Sequence, residues 1–480
     1  LPSDLYVFGP FQLDPDSRRL LREGEPVAIS ARQFDLLHVL VARAGQVLSK
    51  DLLIQAAWGD VAVTDNSLEQ AISAIRRLLA YAQSPTFIET LARRGYRFSA
   101  PVSRADRREP VETIDALLAP HRAWIEGRAA LETLERTHIT SARDVFARVL
   151  ADVPDQAPAH VGLANACVMQ FEMTRAERVP DTAALETAAR HASEACRLDP
   201  RYGEAWATLG FVLDRAGRRA DALAASRRAV SLEPDNWRHH VRLGYVSWGE
   251  ERLREATRAL ALLPGFPLAH WLAATVHVAR QALDDAAQQL AAGIAAEAQD
   301  PAHARFSSVA LHWLDGLLRL AGGDDAAALD AFDRELAAEQ TGHLYARECC
   351  ANTWYAIAAV RLRRDDPGGA AAALQETLAR VPGHVPALAV LQSLGIDDPA
   401  SDHTPPADPI VRAGEIALGQ AIGAARGGNA AKAAAIIEQM LDLAPAGSAL
   451  WWLPVEPILG IQGSLRPWAG VLARLRNRAA

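Results

Sequence analysis

Lysine is almost missing from this chain. Lys50 and Lys432 are the only two, and arginine carries nearly all the positive charge. Cysteine is sparse as well, at four residues. Cys167, Cys196, Cys349 and Cys350 form no CxxC pair and no framework spacing. That excludes a disulfide scaffold and predicts reduced, buried thiols in a cytoplasmic protein. Neither sign of charge dominates. A formal net charge of −8 over 480 residues excludes a protein that coats nucleic acid along its length, but not a local basic surface. The first residues lack a secretory pattern, so a cytoplasmic location is expected. Long apolar runs are nearly absent too. Leu260 to Ala279 carries no Asp, Glu, Lys or Arg, yet Pro264, Gly265 and Pro267 interrupt it. The expectation there is a helix–turn–helix and no membrane span.

Enzyme signatures are also missing. The chain has no HExxH, no GxxxxGK[ST], no GxSxG and no GxGxxG at a strand–helix junction. His191, Glu194 and Cys196 lie close together on one helix, but repeat packing accounts for them better than a metal does. The expectation is therefore no catalytic residue, no metal and no cofactor.

What remains is rich in alanine, the best helix former, and too long for one core. Residues 5–29 read as short strands, with Tyr6, Phe8, Phe11 and Leu13 alternating around Gly9-Pro10. The period then changes. Ser30 and Gln33 form a capping box, and Phe34, Leu37 and Val41 follow on one helical face. Ser49 caps a second helix that ends near Trp58-Gly59. A third starts near Asp65-Asn66 and carries Leu68, Ile72, Ile75 and Leu79 as its apolar stripe. Residues 87–98 read as a β-hairpin with Arg93-Arg94-Gly95 at its tip.

This succession resembles the winged helix-turn-helix effector domain of OmpR/PhoB-type regulators, and the RRGY at the hairpin looks more like the ToxR/CadC-like branch than like response regulators. The segments that carry it are ARQFDLLHVLVARAGQVLSKDLLIQAAWG, VTDNSLEQAISAIRRLLA and FIETLARRGYRF. The resemblance implies double-stranded DNA as partner, with the third helix in the major groove and the hairpin wing in the minor groove. It places Asn66, Ser67, Gln70, Ser73 and Ala74 toward bases or nearby phosphates. It places Trp58, Arg76 and Arg77 near the backbone and Arg93 and Arg94 at the wing tip. Gln70-Ala71, Ser73-Ala74 and Leu78 stand where relatives often carry cations. The first hundred residues hold eleven Arg and Lys against eleven Asp and Glu, so one copy should bind weakly.

From about residue 115 the chain reads as helical. Leu198-Asp199-Pro200 recurs as Leu232-Glu233-Pro234, and Leu209-Gly210 recurs as Leu243-Gly244, each 34 residues later. This resembles the tetratricopeptide (TPR) repeat, most complete at Trp206, Leu209, Gly210, Leu213, Ala222, Ala229 and Pro234. Helical hairpins are predicted at 140–172, 281–321, 324–362, 366–394 and 410–443, with Trp451-Trp452 as a cap over the last helices.

The expected organisation is mainly α. A winged helix (1–103) precedes a linker (104–114, overlapping a polar Pro-bracketed stretch at 101–112). A TPR-like solenoid (115–394), a second linker or loop (395–409) and terminal repeats (410–480) follow. Tyr202, Trp237, His239, His240 and Trp248 are candidates for a partner-binding concave face. The functional expectation is a sequence-specific DNA-binding transcription regulator, HilA-like or AfsR/SARP-like in architecture. Its solenoid would bind a partner, a ligand or a second subunit, with RNA polymerase one candidate. The alternative is an interaction scaffold whose winged helix no longer binds DNA.

Overall fold

The computed structural model of the chain describes residues 5–58, 65–80, 86–92, 94–105, 122, 124–177, 179–299, 308–396, 409–445, 447, 449–463 and 465–480. The chain divides into two compact units, Leu1–Ala119 and Pro120–Ala480.

In the first unit, β1 (Leu5–Phe8), β2 (Phe11–Asp14), β3 (Arg19–Arg22) and β4 (Glu25–Val27) form an antiparallel meander. Its alternating apolar side chains, Phe8, Phe11, Leu13 and Leu20, are buried. Then α1 (Ala31–Ala42) starts at the Ser30 cap. The Gln33 amide donates to Ser30 Oγ at 3.4 Å, and the Ser30 amide donates to Gln33 Oε1 at 3.1 Å. A two-residue strand, β5 (Val47–Leu48), precedes α2 (Lys50–Trp58). Ser49 Oγ accepts from the Leu52 amide at 3.3 Å. Next come α3 (Asp65–Leu79) and a hairpin of β6 (Ile88–Leu91) and β7 (Gly95–Phe98), and β5 pairs with β7. The predicted stripe of α3 is fully inside: Leu68, Ile72, Ile75 and Leu79 are each at most 1% exposed.

One boundary moves. A last strand, β8 (Ser103–Ala105), returns to pair with β1 and makes a five-stranded sheet in the order β4-β3-β2-β1-β8. The polar sequence there reads as linker because edge pairing uses only main chain and leaves no apolar alternation to see. The folded part of this unit thus runs past residue 103.

Gly95 is obligatory where the wing meets β5. Its φ is +121°, and a Cβ there would lie 1.9 Å from the Leu48 carbonyl oxygen. Replacing Gly95 with Ala should cost the first unit about 2–3 kcal/mol, through a strained backbone and a lost β5–β7 pairing. Thermal melts followed by circular dichroism test this, and an unchanged midpoint would show that the wing tolerates the side chain.

The second unit is a succession of antiparallel helices. Arg136–Asp152, Ala157–Thr174, Thr182–Leu198, Gly203–Arg215, Arg219–Leu232, Trp237–Val246, Glu250–Leu262 and Pro267–Ala279 form its first half. The break between the last two falls at residues 263–266, so the uncharged stretch from Leu260 is a helix–turn–helix. Among the described residues no helix is long and apolar enough to cross a membrane. Gly210 shows why the repeat needs a small residue. A Cβ on it would meet Ser226 Oγ at 2.1 Å, so only glycine lets the paired helices come this close.

The repeat also fixes one polar position. His160, Trp206 and His240 each donate a ring N–H, at 2.8, 3.0 and 2.8 Å, to the carbonyl of a proline six residues earlier: Pro154, Pro200 and Pro234. These rings close the turn that starts each repeat.

The predicted hairpins at 281–321, 324–362 and 366–394 are out of step by one helix, whereas the one at 410–443 pairs as read. The tight pairs are Pro267–Ala279 with Leu283–Gln299, Leu311–Ala321 with Asp325–Ala337, and Ala346–Arg363 with Pro367–Arg380. Gly316 sits against the Phe332 ring inside the second of these pairs. Alanine-rich helices offer similar faces to both chain neighbours, so the sequence alone does not select the partner.

The C-terminal segment returns to the middle of the array. Leu453–Val455 is buried, and Trp451 meets Trp271 and Trp313 edge-on, with centroids 5.9 and 6.5 Å away. The Arg280 guanidinium donates to the Ala479 carbonyl at 2.8 Å, and the Gln281 amide donates to the Leu472 carbonyl at 2.8 Å. Trp451 therefore packs on central helices, with Trp452 beside it.

Candidate functional site

On α3 the buried stripe turns the opposite face outward. Gln70, Ser73 and Arg77 are exposed there, and Ser67 and Ala74 are half-buried beside them. Spacings of three and four residues keep these positions on one side of the helix. The side chain of Asn66 and the whole of Arg93 lie outside the described residues, as do residues 59–64. Trp58 ends α2 half-buried against the core, with part of its ring still accessible.

Arg76 is placed differently from the sequence expectation. Its Nε and Nη2 both donate to the Ile88 carbonyl, at 3.0 and 2.8 Å, and Nη2 also donates to Thr90 Oγ1 at 2.7 Å. Most of its fork is spent tying α3 to the wing, because Arg76 leans toward β6 rather than away from the core. It orients the wing and has little left to offer a phosphate.

Other cations are matched locally. Arg18 pairs with Asp35 at 2.7 Å, Lys50 with Glu69 at 3.0 Å and Arg97 with Glu89 at 2.6 Å. The Lys50–Glu69 pair matters most, because it neutralises an acid on α3. Arg77 and Arg94 are exposed and make no ion pair among the described residues. One stands at the end of α3 and the other at the wing tip. They are the named cations free to meet a phosphate backbone.

The second unit holds a partly open cavity of about 740 Å³ lined by residues from many of its helices. Of the five predicted partner-binding residues, only Trp237 lines it, its ring tilted against Phe266 with centroids 4.7 Å apart. His239 and His240 are buried at 1% and 5% exposure and bind Glu233 and Glu255, at 2.9 and 2.6 Å. They act in packing: His240 closes the turn at Pro234, and His239 holds Glu233 and Asn236. The Tyr202 hydroxyl donates to Glu204 at 3.2 Å, and Trp248 lies under the Arg252 guanidinium.

Two charge clusters inside the cavity escaped the sequence. The first is centred on Glu172, whose side chain has no exposure. Arg175 and Arg215 stand 3.1 and 3.4 Å away, and the Tyr345 hydroxyl donates to it at 2.8 Å. Burial opposes its ionisation, but the two guanidinium groups and the hydroxyl outweigh burial and hold the carboxyl below its ordinary range. Arg175 also forks onto Glu348, at 2.9 and 2.5 Å. Residues 343–348 are thereby fastened to the first repeats, and the Leu344 amide donates to the Leu134 carbonyl at 2.7 Å.

The second cluster holds three guanidinium groups and two carboxylates. Arg128 pairs with Glu204 at 3.1 Å and Glu132 at 3.4 Å, and Arg238 pairs with Glu132 at 2.7 Å. Arg242 has no carboxylate partner among the described residues. It donates to the neutral oxygens of Asn165 Oδ1 at 2.8 Å and Thr208 Oγ1 at 3.2 Å. The partners are 34 and 77 residues away from it in sequence, which is why no local motif announces the cluster.

Residues 24–98 match the family model described as "Transcriptional regulatory protein, C terminal". The transcriptional regulator HilA of Salmonella typhimurium (strain LT2) is 39% identical over 97 residues, which are 20% of this chain and 17% of that one. The chain thus spans under a fifth of the length of this relative. The solved DNA-binding domain of Escherichia coli CadC is 30% identical, covering 22% of this chain and all of that one, with a TM-score of 0.21. A human IFIT1 dimer with m7Gppp-AAAA is 14% identical over 70% of this chain and 76% of that one, with a TM-score of 0.46.

Proposed function

Because the N-terminal unit is a winged helix of the OmpR/PhoB-type transcriptional-regulator family, we propose that this chain is a sequence-specific DNA-binding transcription regulator. The helical array would bring a second subunit, a ligand or a protein partner to it. The observation that carries the reading is the outward face of α3, where Gln70, Ser73 and Arg77 project opposite a fully buried stripe. A helix presented this way fits the major groove, and a glutamine amide can pair with both N6 and N7 of adenine.

The wing and the helix divide the work. Replacing Gln70 with Ala should change which bases are preferred at one or two positions, at about 1–3 kcal/mol each. Replacing Arg94 with Ala should weaken all sequences alike, because a wing cation acts through backbone and groove potential. Selection from a randomised duplex library with both variants tests this. A uniform loss with Gln70→Ala, or a shifted base preference with Arg94→Ala, would reverse the assigned roles.

The scaffold alternative draws on a specific fact, the neutral charge balance of the first hundred residues. Against it, Glu69 is cancelled by Lys50 while Arg77 and Arg94 stay uncancelled, so the exposed side of α3 and the wing is more positive than the balance suggests.

A further inference from the structure

We propose that the cavity of the helical unit is a binding site for a small organic anion with an apolar, aromatic-sized body, and that Arg242 receives the anionic group. This inference stands on the second unit alone and does not depend on DNA binding.

The first observation is the charge imbalance around Arg242. Arg128, Arg238 and Arg242 share only Glu132 and Glu204. Both carboxylates are already engaged by the other two arginines. Arg242 holds Asn165 and Thr208, which orient its fork without neutralising it. Burial and the repulsion of Arg128 and Arg238 pull its pKa below the ordinary arginine value, with Glu204 opposing. A guanidinium held in place and lacking a counter-ion is the arrangement that takes a carboxylate, sulfonate or phosphate from solution.

The second observation is the wall. Trp237, Phe266, Trp271, Trp313 and Trp451 line the same cavity, and Arg242 lies over the Phe211 ring with its guanidinium carbon 5.7 Å from the centroid. A volume of about 740 Å³ falls within the usual 300–1,000 Å³ of small-molecule sites, and its wall combines these aromatic faces with charged groups of both signs, Arg242 among them. A bare inorganic ion would leave those aromatic faces wet, whereas an aromatic or alkyl body fills them.

The third observation concerns the opposite sign. Glu415 also lines the cavity, and burial and the nearby Glu348 push its carboxyl up to about 7. Its charge is therefore partly suppressed near neutral pH, and it repels an anion less than an ordinary glutamate would.

The test uses the full chain and three probes that share one ring system: 2-naphthaleneacetate, 2-naphthaleneethanol and 2-naphthaleneethylamine. Isothermal calorimetry should find the acid bound at least tenfold more tightly than the alcohol, and the amine weakest. Arg242→Gln should erase the preference of acid over alcohol while leaving alcohol binding within about threefold. Arg242→Lys should keep the preference, which separates the charge from a general packing effect. If Arg242→Gln does not fold, the ranking in the unaltered protein still decides. No binding of any probe at millimolar concentration, or an amine bound as tightly as the acid, would overturn the proposal. A retained acid preference in folded Arg242→Gln would overturn the role of Arg242.

Discussion

The intact chain should bind a duplex with two adjacent half-sites at least about a hundredfold more tightly than fragment 1–119 does. The motive is the shortage of free cations on the winged helix. Arg18, Lys50 and Arg97 are each matched by an acid, and Arg76 is committed to the wing. Arg77 and Arg94 are what one domain has left among the named positions. Non-specific affinity comes mainly from phosphate neutralisation, so a single domain starts weak. Joining two domains makes the second contact intramolecular, at an effective concentration of about mM, which raises avidity by 10²–10⁴. The helical unit is the part of the chain large enough to join them. The fragment must extend beyond 103, because Ser103–Ala105 completes the first sheet. Titrating both proteins against one duplex at fixed salt decides the matter. Equal affinities would mean that the array acts only after DNA is bound.

The second large effect is expected at Glu172. Replacing it with Ala leaves Arg175 and Arg215 facing each other without their shared, fully buried counter-charge. Removing one partner of a buried ion pair costs about 3–5 kcal/mol. That is a large part of the roughly 5–15 kcal/mol by which most domains are stable. Residues 343–348 should loosen first, since Glu172 accepts from Tyr345 and shares Arg175 with Glu348. Urea unfolding followed by tryptophan fluorescence reads the loss. The pH dependence checks the cause. Glu172 has a folded-state pKa below its ordinary value of 4.5, so its contribution is complete above about pH 4.5. It is lost as pH falls through the depressed folded value. The advantage of the natural protein over Glu172→Gln should therefore be constant from pH 5 to 7 and shrink in acid. An advantage that persists unchanged at low pH would assign the effect to packing instead.

What could be read from the sequence was whatever is local. The Ser30–Gln33 box, the Leu68–Leu79 stripe and the Gly95 turn each occupy a few consecutive residues, and each folds as read. The 34-residue recurrence located the repeat because Gly210 and the prolines at 200 and 234 are packing requirements. Three things were out of reach. The direction in which Arg76 leans depends on where β6 lies, twelve residues away. The helix pairing beyond residue 280 depends on which of two similar alanine faces is covered. The cavity clusters join positions such as 175 and 348, which only the curvature of the whole array brings together. His239 and His240 misled for a related reason. Adjacent histidines suggest a surface site, whereas here each closes a turn or meets a glutamate from inside.

The central claim is that this chain holds DNA through a small set of phosphate contacts made by its winged helix. Measuring the affinity of the intact protein for its selected duplex across a range of salt concentrations tests it directly. Arg77 and Arg94 from two joined domains account for about four neutralised phosphates, so log K against log salt should fall with a slope of about −3.6. A slope near zero would contradict the account.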